Sequence, residues 1–428
     1  MNNPQEHIRQ ERFPALYVRD FRIFWIGQLI SFSGTWMQST AQGWLVYSLT
    51  KSPLYLGIVA TAASLPVLLF TLIGGVVADR LSKRTLLIIT QTLSMVPALC
   101  LAILIDVGAV TVWQIVFFAT LLGTVNAFDI PARQSFLVDM VQKGRLMNAI
   151  ALNSAAFNGA RIVGPVIAGI TIAAIGVAAC FYVNAVSFLA AIVALLMIKT
   201  RSNGDGEKSM KSMGEDRRLH LSVVLDDLSE GLRYVKSEKN VFRIMSLVAL
   251  FSLFGIPFVT LLPVFAEDIL MVGPKGLGIL AGSSGVGSLA AALFIAFRGE
   301  IEKKGRFMSG AGALFGVSLL LFSLSRDYHA SMVILLLAGL GMVSFLAVAN
   351  TSIQLTVPDV LRGRVMSVYA LVFLGIAPIG NAVMGSIAHG VGTDRAVSIG
   401  SSLCLFAVLL SWKHLKTMDK TAQVTQDA

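Results

Sequence analysis

The chain has 428 residues, of which 55% are hydrophobic and 14% charged, with a mean hydropathy of +0.76. Soluble domains carry about 25% charged residues, so a soluble globular domain is excluded. A net charge of +10 would suit a nucleic-acid binder, but its placement in short loops between apolar runs excludes that reading.

Residues 1–22 are polar and charged, and the run behind them is too long for a signal-peptide core, so no cleavable signal is expected. Uncharged runs follow at 23–50, 52–78, 85–105 and 107–128, then at 146–198, broken only by Arg161 and long enough for two spans. After a polar stretch they resume at 244–266, 276–297, 307–325, 328–358, 365–393 and 396–412. A spanning helix needs about 20 apolar residues. The runs are continuous rather than alternating, which argues for helices and against a barrel. The expected fold is an all-α membrane protein of twelve transmembrane helices in two six-helix bundles, 23–198 and 244–412. A linker over 199–243 joins them, and tails at 1–22 and 413–428 flank them.

All but five of the 34 Lys and Arg residues fall in alternate loops and the termini; the exceptions are Lys51, Lys275, Arg326, Arg395 and Arg161. The positive-inside rule then predicts a multi-pass protein of the cell inner (plasma) membrane with both termini cytoplasmic. Cys100, Cys180 and Cys404 lie in apolar spans without metal-ligand spacing, so buried inert thiols are expected, with no disulfide, metal or cofactor.

In the first span Gln28, Ser31, Thr35, Gln38, Ser39 and Gln42 fall within about 100° of helical arc. This stripe reads either as a hydrated substrate path or as interhelical hydrogen bonding. A charged turn over 75–84 carries Gly75, Asp79, Arg80, Ser82, Lys83 and Arg84. A glycine there permits close helix approach, and the carboxylate can accept charge-assisted bonds. At the end of the fourth span, Asp129 and Arg133 are spaced to pair along a helix, although Pro131 is expected to end it. They read as part of a cytoplasmic gate or as a local pair.

In the fifth span Ser154, Asn158 and Arg161 share one helical face, with Arg161 about 20 Å deep. A charge at that depth faces a cavity or a partner. The face can hold an anionic or acceptor-rich substrate, or Arg161 can bond neighbouring spans. The same span carries Gly159, Gly164, Pro165, Ala168 and Gly169, small residues for tight packing in lipid and a proline for a bend.

The first part of the linker, 203–217, is expected to be mobile. Leu221, Leu225, Leu228 and Leu232 then mark an amphipathic helix along the membrane face. The halves look duplicated. Lys143-Gly144-Arg145-Leu146-Met147 matches Arg362-Gly363-Arg364-Val365-Met366, and Phe21-Arg22-Ile23 matches Phe242-Arg243-Ile244 at nearly the same offset. Gly34 then falls on Gly255 and the Asp79 turn on the basic stretch 298–306. Parallel repeats of this kind suit a transporter with a midplane cavity. No acid is expected mid-span, so Asp129 and Asp79, both near the cytoplasm, are the nearest proton-site candidates. The scattered histidines and the lack of a phosphate-binding loop argue against an enzyme and against ATP hydrolysis.

Over about residues 13 to 416 the chain resembles the major facilitator superfamily. The turn follows that family's G-x-L-a-D-R-x-G-R-R pattern between spans two and three at Gly75, Asp79, Arg80, Lys83 and Arg84, with Ser82 in place of the second Gly. The segment Gly164-Pro165 resembles the G-P-x-x-G-G signature of exporters, with Ala168 replacing one Gly. With the Gly-Arg-x-Met copies, these motifs are most similar to the drug-and-siderophore exporter branch that includes the enterobactin exporter and macrolide efflux proteins. The resemblance implies that Asp79 latches the halves on the cytoplasmic side and that the Gly-Pro helix accompanies antiport. It implies a monomeric secondary transporter exporting a small organic molecule, such as a drug or siderophore, in exchange for protons. An uptake symporter, a lipid flippase and a non-transporting receptor are the alternatives.

Overall fold

Residues 13–198, 221–299 and 301–426 are described by the computed structural model, and the regular structure among them is helical. Six long helices make the first half: α1 (Arg19–Thr50), α2 (Pro53–Arg80), α3 (Lys83–Asp106), α4 (Val112–Met140), α5 (Lys143–Ile175) and α6 (Val177–Met197). The linker contributes α7 (Leu221–Ser237). The second half holds α8 (Lys239–Ile269), α9 (Gly273–Arg298), α10 (Lys304–Leu324), α11 (Tyr328–Thr356), α12 (Asp359–Val391) and α13 (Thr393–Gln426). Among the described residues, 11 helices are long and apolar enough to cross a membrane. The twelfth, α1, is long enough but diluted by its Gln, Ser and Thr residues.

The helices overrun the apolar segments that announce them. α1 begins at Arg19, α8 at Lys239, and α13 continues to Gln426 through what reads in sequence as a tail. Pro131 does not end α4, which runs on to Met140; neighbouring helices hold the backbone around the missing N–H. The interval 203–217, expected to be mobile, lies outside the described residues.

Helix α8 is interrupted by two π-helical turns, at Phe251–Gly255 and Phe265–Ile269, on either side of Pro257 and Pro263. Extra-residue turns of this kind re-aim the side chains that follow. Here they direct Glu267 and Asp268 toward α1, where Lys51 Nζ lies 3.0 Å from Glu267 and the Tyr47 hydroxyl donates to Asp268.

Two helix crossings join the halves. α2 meets α12 where Gly57 packs on the Asn381 carbonyl and on Gly385. α5 meets α9 where Gly169 packs on Pro274 and Gly278, and Gly278 on Pro165. In lipid such small residues let backbones touch, and dispersion and hydrogen bonding replace a hydrophobic drive. The Thr61 hydroxyl adds a 2.8 Å bond to the Pro378 carbonyl, and Ser52 Oγ lies 3.2 Å from His389 Nδ1. These contacts gather toward the end of the molecule that carries Lys51, opposite the basic end that carries the Asp79 turn.

Linker helix α7 packs on α12. Arg364 reaches Asp227 at 2.7 Å and Glu230 at 2.5 Å, and Gly231 lies on the Arg364 carbonyl. The contact face differs from the predicted leucine stripe. Leu228 and Val235 pack on the C-terminal core while Leu232 is 41% exposed; the side chains of Leu221 and Leu225 lie outside the described residues.

One glycine role shifts by a single position. A methyl added at Gly75 would meet nothing within 4 Å, whereas a Cβ on Gly74 would collide with the Ala127 carbonyl of α4. Close approach of α2 to α4 therefore rests on Gly74. Gly74→Ala should cost about 1–3 kcal/mol by forcing the helices apart, and Gly75→Ala less than about 0.5. Heating the detergent-solubilised variants and measuring the monodisperse fraction will compare them.

Candidate functional site

Arg161 lies near the middle of α5, about 27 Å along the helix axis from its first residue. Its guanidinium stands over the Trp36 ring of α1 at 5.6 Å from the centroid. Both line a cavity of about 160 Å3 between the halves, together with Gln42, Thr260, Leu277 and Ser284. The first half contributes α1, α2 and α5, and the second α8 and α9. Among the described residues Arg161 has no hydrogen-bond or ion-pair partner. Ser284, only 4% exposed, has an Oγ that is likewise unpartnered. Thr260 is positioned by a 3.0 Å bond to Asn381 Oδ1.

The polar stripe of the first span divides. Ser39, Thr40 and Gln42 line the cavity. Gln28, Ser31 and Gln38 do not; they are buried inside the first half. Ser31 donates to Gln91 of α3 at 3.3 Å, and Gln38 accepts from Asn184 of α6 at 2.6 Å. Thr35 bonds the Ser31 carbonyl of its own helix. For Ser31 and Gln38 interhelical bonding wins, because they turn toward α3 and α6 and find polar partners there, whereas Gln28 Oε1 is buried without a partner among the described residues. The expected grouping of Ser154, Asn158 and Arg161 also breaks up. Ser154 is exposed, Asn158 bonds the Ser154 carbonyl at 2.8 Å, and only Arg161 reaches the cavity.

Around Pro165, α5 meets two neighbours. Gly164 packs against Trp36 and Ser33 of α1, while Pro165 and Gly169 meet α9. Gly159 faces open space. The Gly-Pro segment thus holds Arg161 against Trp36 and supplies one of the two crossings between halves.

The Asp129–Arg133 pair is not at an exposed gate. Asp129 is 1% exposed within α4, pairs with Arg133, and accepts from Thr90 at 2.7 Å and Gln91 at 2.9 Å, both on α3. Arg133 also lies over the Phe32 ring at 4.7 Å. Through Gln91 the cluster reaches Ser31, so one buried network ties α1, α3 and α4. The helix does not stop at Pro131, so Asp129 lies inside α4, about 16 Å from its end.

The charged turn also divides. Lys83 pairs with Asp139 at 2.6 Å, and Arg84 donates to the Leu195 and Leu196 carbonyls that end α6. Asp79 and Arg80 are exposed and, among the described residues, unpaired. Ser82 has φ −56° and ψ 113°, an extended conformation that serine adopts without strain. The missing glycine therefore changes nothing in this turn.

Sequence reasoning missed the C-terminal face of the cavity, Thr260 and Ser284, and the acids Glu267 and Asp268. Paired prolines at 257 and 263 inside an apolar run were the available signal for the former. Two adjacent acids at the end of the same run were the signal for the latter.

A cavity between two six-helix halves, joined by two glycine crossings, defines a membrane transporter of the major facilitator type. The chain belongs to the transmembrane secretion effector family, whose pattern matches residues 12–428. It is 25% identical to the Staphyloferrin A transporter of Staphylococcus aureus (strain NCTC 8325 / PS 47), over 90% of this chain and 94% of that protein. It is 27% identical to the multidrug efflux pump Tap of Mycolicibacterium fortuitum, again over 90% and 94%. The crystal structure of the nucleoside transporter NupG has the same fold, with a TM-score of 0.69 at 12% identity over 92% of this chain and 98% of that one.

Asp129→Ala should destabilise the protein by about 3–5 kcal/mol, because Arg133 is left without its partner. Adding Arg133→Leu should recover most of that loss. Thermal unfolding of the two single variants and the double variant checks the coupling.

Proposed function

We propose that the protein exports a small organic molecule from the cytoplasm by alternating access, in exchange for protons. It would act as a monomer in the inner (plasma) membrane, with the basic end and both termini cytoplasmic. One observation carries the proposal: the cavity between the halves is closed by inter-half contacts at one end, while Asp79, Arg80 and Gly75 stand unengaged at the other. Such an arrangement suits a form open toward the basic side, which the positive-inside rule makes cytoplasmic. The names of the efflux pump Tap and of the Staphyloferrin A transporter support a small solute as cargo.

In the reverse form, Tyr47–Asp268, Lys51–Glu267 and Ser52–His389 part and the basic ends come together. Asp79 then supplies a carboxylate to the closing face. For proton coupling, Asp129 is the one acid buried within a span among the described residues. Taking up a proton would weaken its pairing with Arg133 and loosen the tie between α3 and α4. Uptake of protons from the far side and release to the cytoplasm drives export.

Two measurements test this reading. Cross-linking a Lys51→Cys/Glu267→Cys double variant should stop turnover, and reduction should restore it. In inverted vesicles, cargo uptake should require a pH gradient, and Asp129→Asn should lower gradient-driven uptake at least about tenfold while solute counterflow persists. Gradient-driven uptake by Asp129→Asn equal to the parent overturns the coupling role. Accumulation only in right-side-out vesicles overturns export in favour of uptake.

A further inference from the structure

The transport reading leaves open what chemistry the cavity selects, and two unpartnered groups bear on it. Arg161 is a full positive charge near mid-depth. The cavity wall around it carries Gln42, Thr40, Thr260 and Ser284 but no acid. A guanidinium in such a place normally has a carboxylate or backbone carbonyls to bond; among the described residues this one has neither. The nearest buried acid, Asp129, is fully engaged with Arg133, Thr90 and Gln91. Glu267 and Asp268 are held by Lys51 and Tyr47 at the closed end.

The second group is Ser284. Its residue lines the cavity, is 4% exposed, and has an Oγ without a hydrogen-bond partner. The next residue, Gly285, packs on the Arg161 backbone and on Ile162, so the crossing of α5 and α9 sets these two donors on the same stretch of wall from opposite halves. Trp36 covers one face of the guanidinium and leaves its edge donors free.

We infer that Arg161 and Ser284 form a subsite for an anionic oxygen group, carboxylate or sulfonate, on an organic cargo. The inference rests on the transport reading and specifies its substrate class as organic anions. The charge that binds such a group also sets the sign of the potential in the cavity, which excludes cations of similar size. The anion bridges the two halves, bonded by α5 on one side and α9 on the other. Its binding thus bears on the crossing that must rearrange during transport.

The test reads the cavity's sign without knowledge of the cargo. Ser39→Cys is placed in the full-length protein in nanodiscs, with Cys100, Cys180 and Cys404 replaced by alanine. The reaction rate of the introduced thiol is measured with the anionic sulfonatoethyl and the cationic trimethylammonioethyl methanethiosulfonates, each normalised to a free thiol. Thr111→Cys, at an exposed turn remote from the cavity, is the control. The anionic reagent is expected to be favoured in the Ser39→Cys variant by about tenfold or more. Adding Arg161→Gln should remove that preference, adding Arg161→Lys should keep it, and neither should alter the rates of the Thr111→Cys control. Equal normalised rates in the Ser39→Cys variant, or a preference that survives Arg161→Gln, overturn the anion subsite and leave the transport reading standing. A Ser39→Cys thiol unreactive to both reagents overturns the open cavity itself, and the subsite with it.

Discussion

Everything about this molecule depends on how two apolar bundles hold together where water cannot help. Lipid gives no hydrophobic drive for bringing α2 to α12 or α5 to α9. The answer is to remove side chains. Gly57 with Gly385, and Gly169 with Gly278, let backbones meet at two places. Polar bonds then close one end only. Narrow crossings flanked by a few exchangeable bonds give an interface that is specific in register yet easily separated. The cavity exists because the crossings keep the bundles in contact while their larger side chains hold the rest of the faces apart.

The same crossings place Arg161. Pro165 and Gly169 belong to the α5–α9 contact and Gly164 to the α5–α1 contact, so both contacts begin within about one turn of Arg161. A segment that looks in sequence like a bend signature thus serves as a mounting for the cavity's one charged residue. Trp36, set against Gly164, completes the mounting from α1.

The fold was legible because hydropathy is a property of long windows: every expected span corresponds to a helix, and a linker helix covers Leu221–Ser237. The site was less so. A 100° arc cannot tell which neighbour a polar stripe faces, so Gln28, Ser31 and Gln38 looked the same as Gln42. Only the packing of α3 and α6 on α1 separates them. Pro131 misled for a related reason. A proline ends a helix when water competes for the freed carbonyl; inside a bundle the helix persists, and Asp129 with it becomes an interior residue. Gly75 was the motif glycine, yet Gly74 faces α4, a matter of helical phase that no motif encodes. Arg161 was legible, because a solitary charge at such depth has few structural uses.

The two halves are held by different kinds of cohesion. Buried apolar residues of the second half, Val264 apart, form one continuous cluster, with Phe251 packed on both Phe315 and Phe345, whereas those of the first fall into four smaller groups, one of which takes in Val264. Between those groups run the Asp129 network and the Gln38–Asn184 bond. The first half is thus tied together by buried polar side chains running between apolar groups. The second instead has a helix, α8, broken by two π-helical turns within one larger apolar core. The two halves thus share a six-helix plan but differ in how their interiors are tied together.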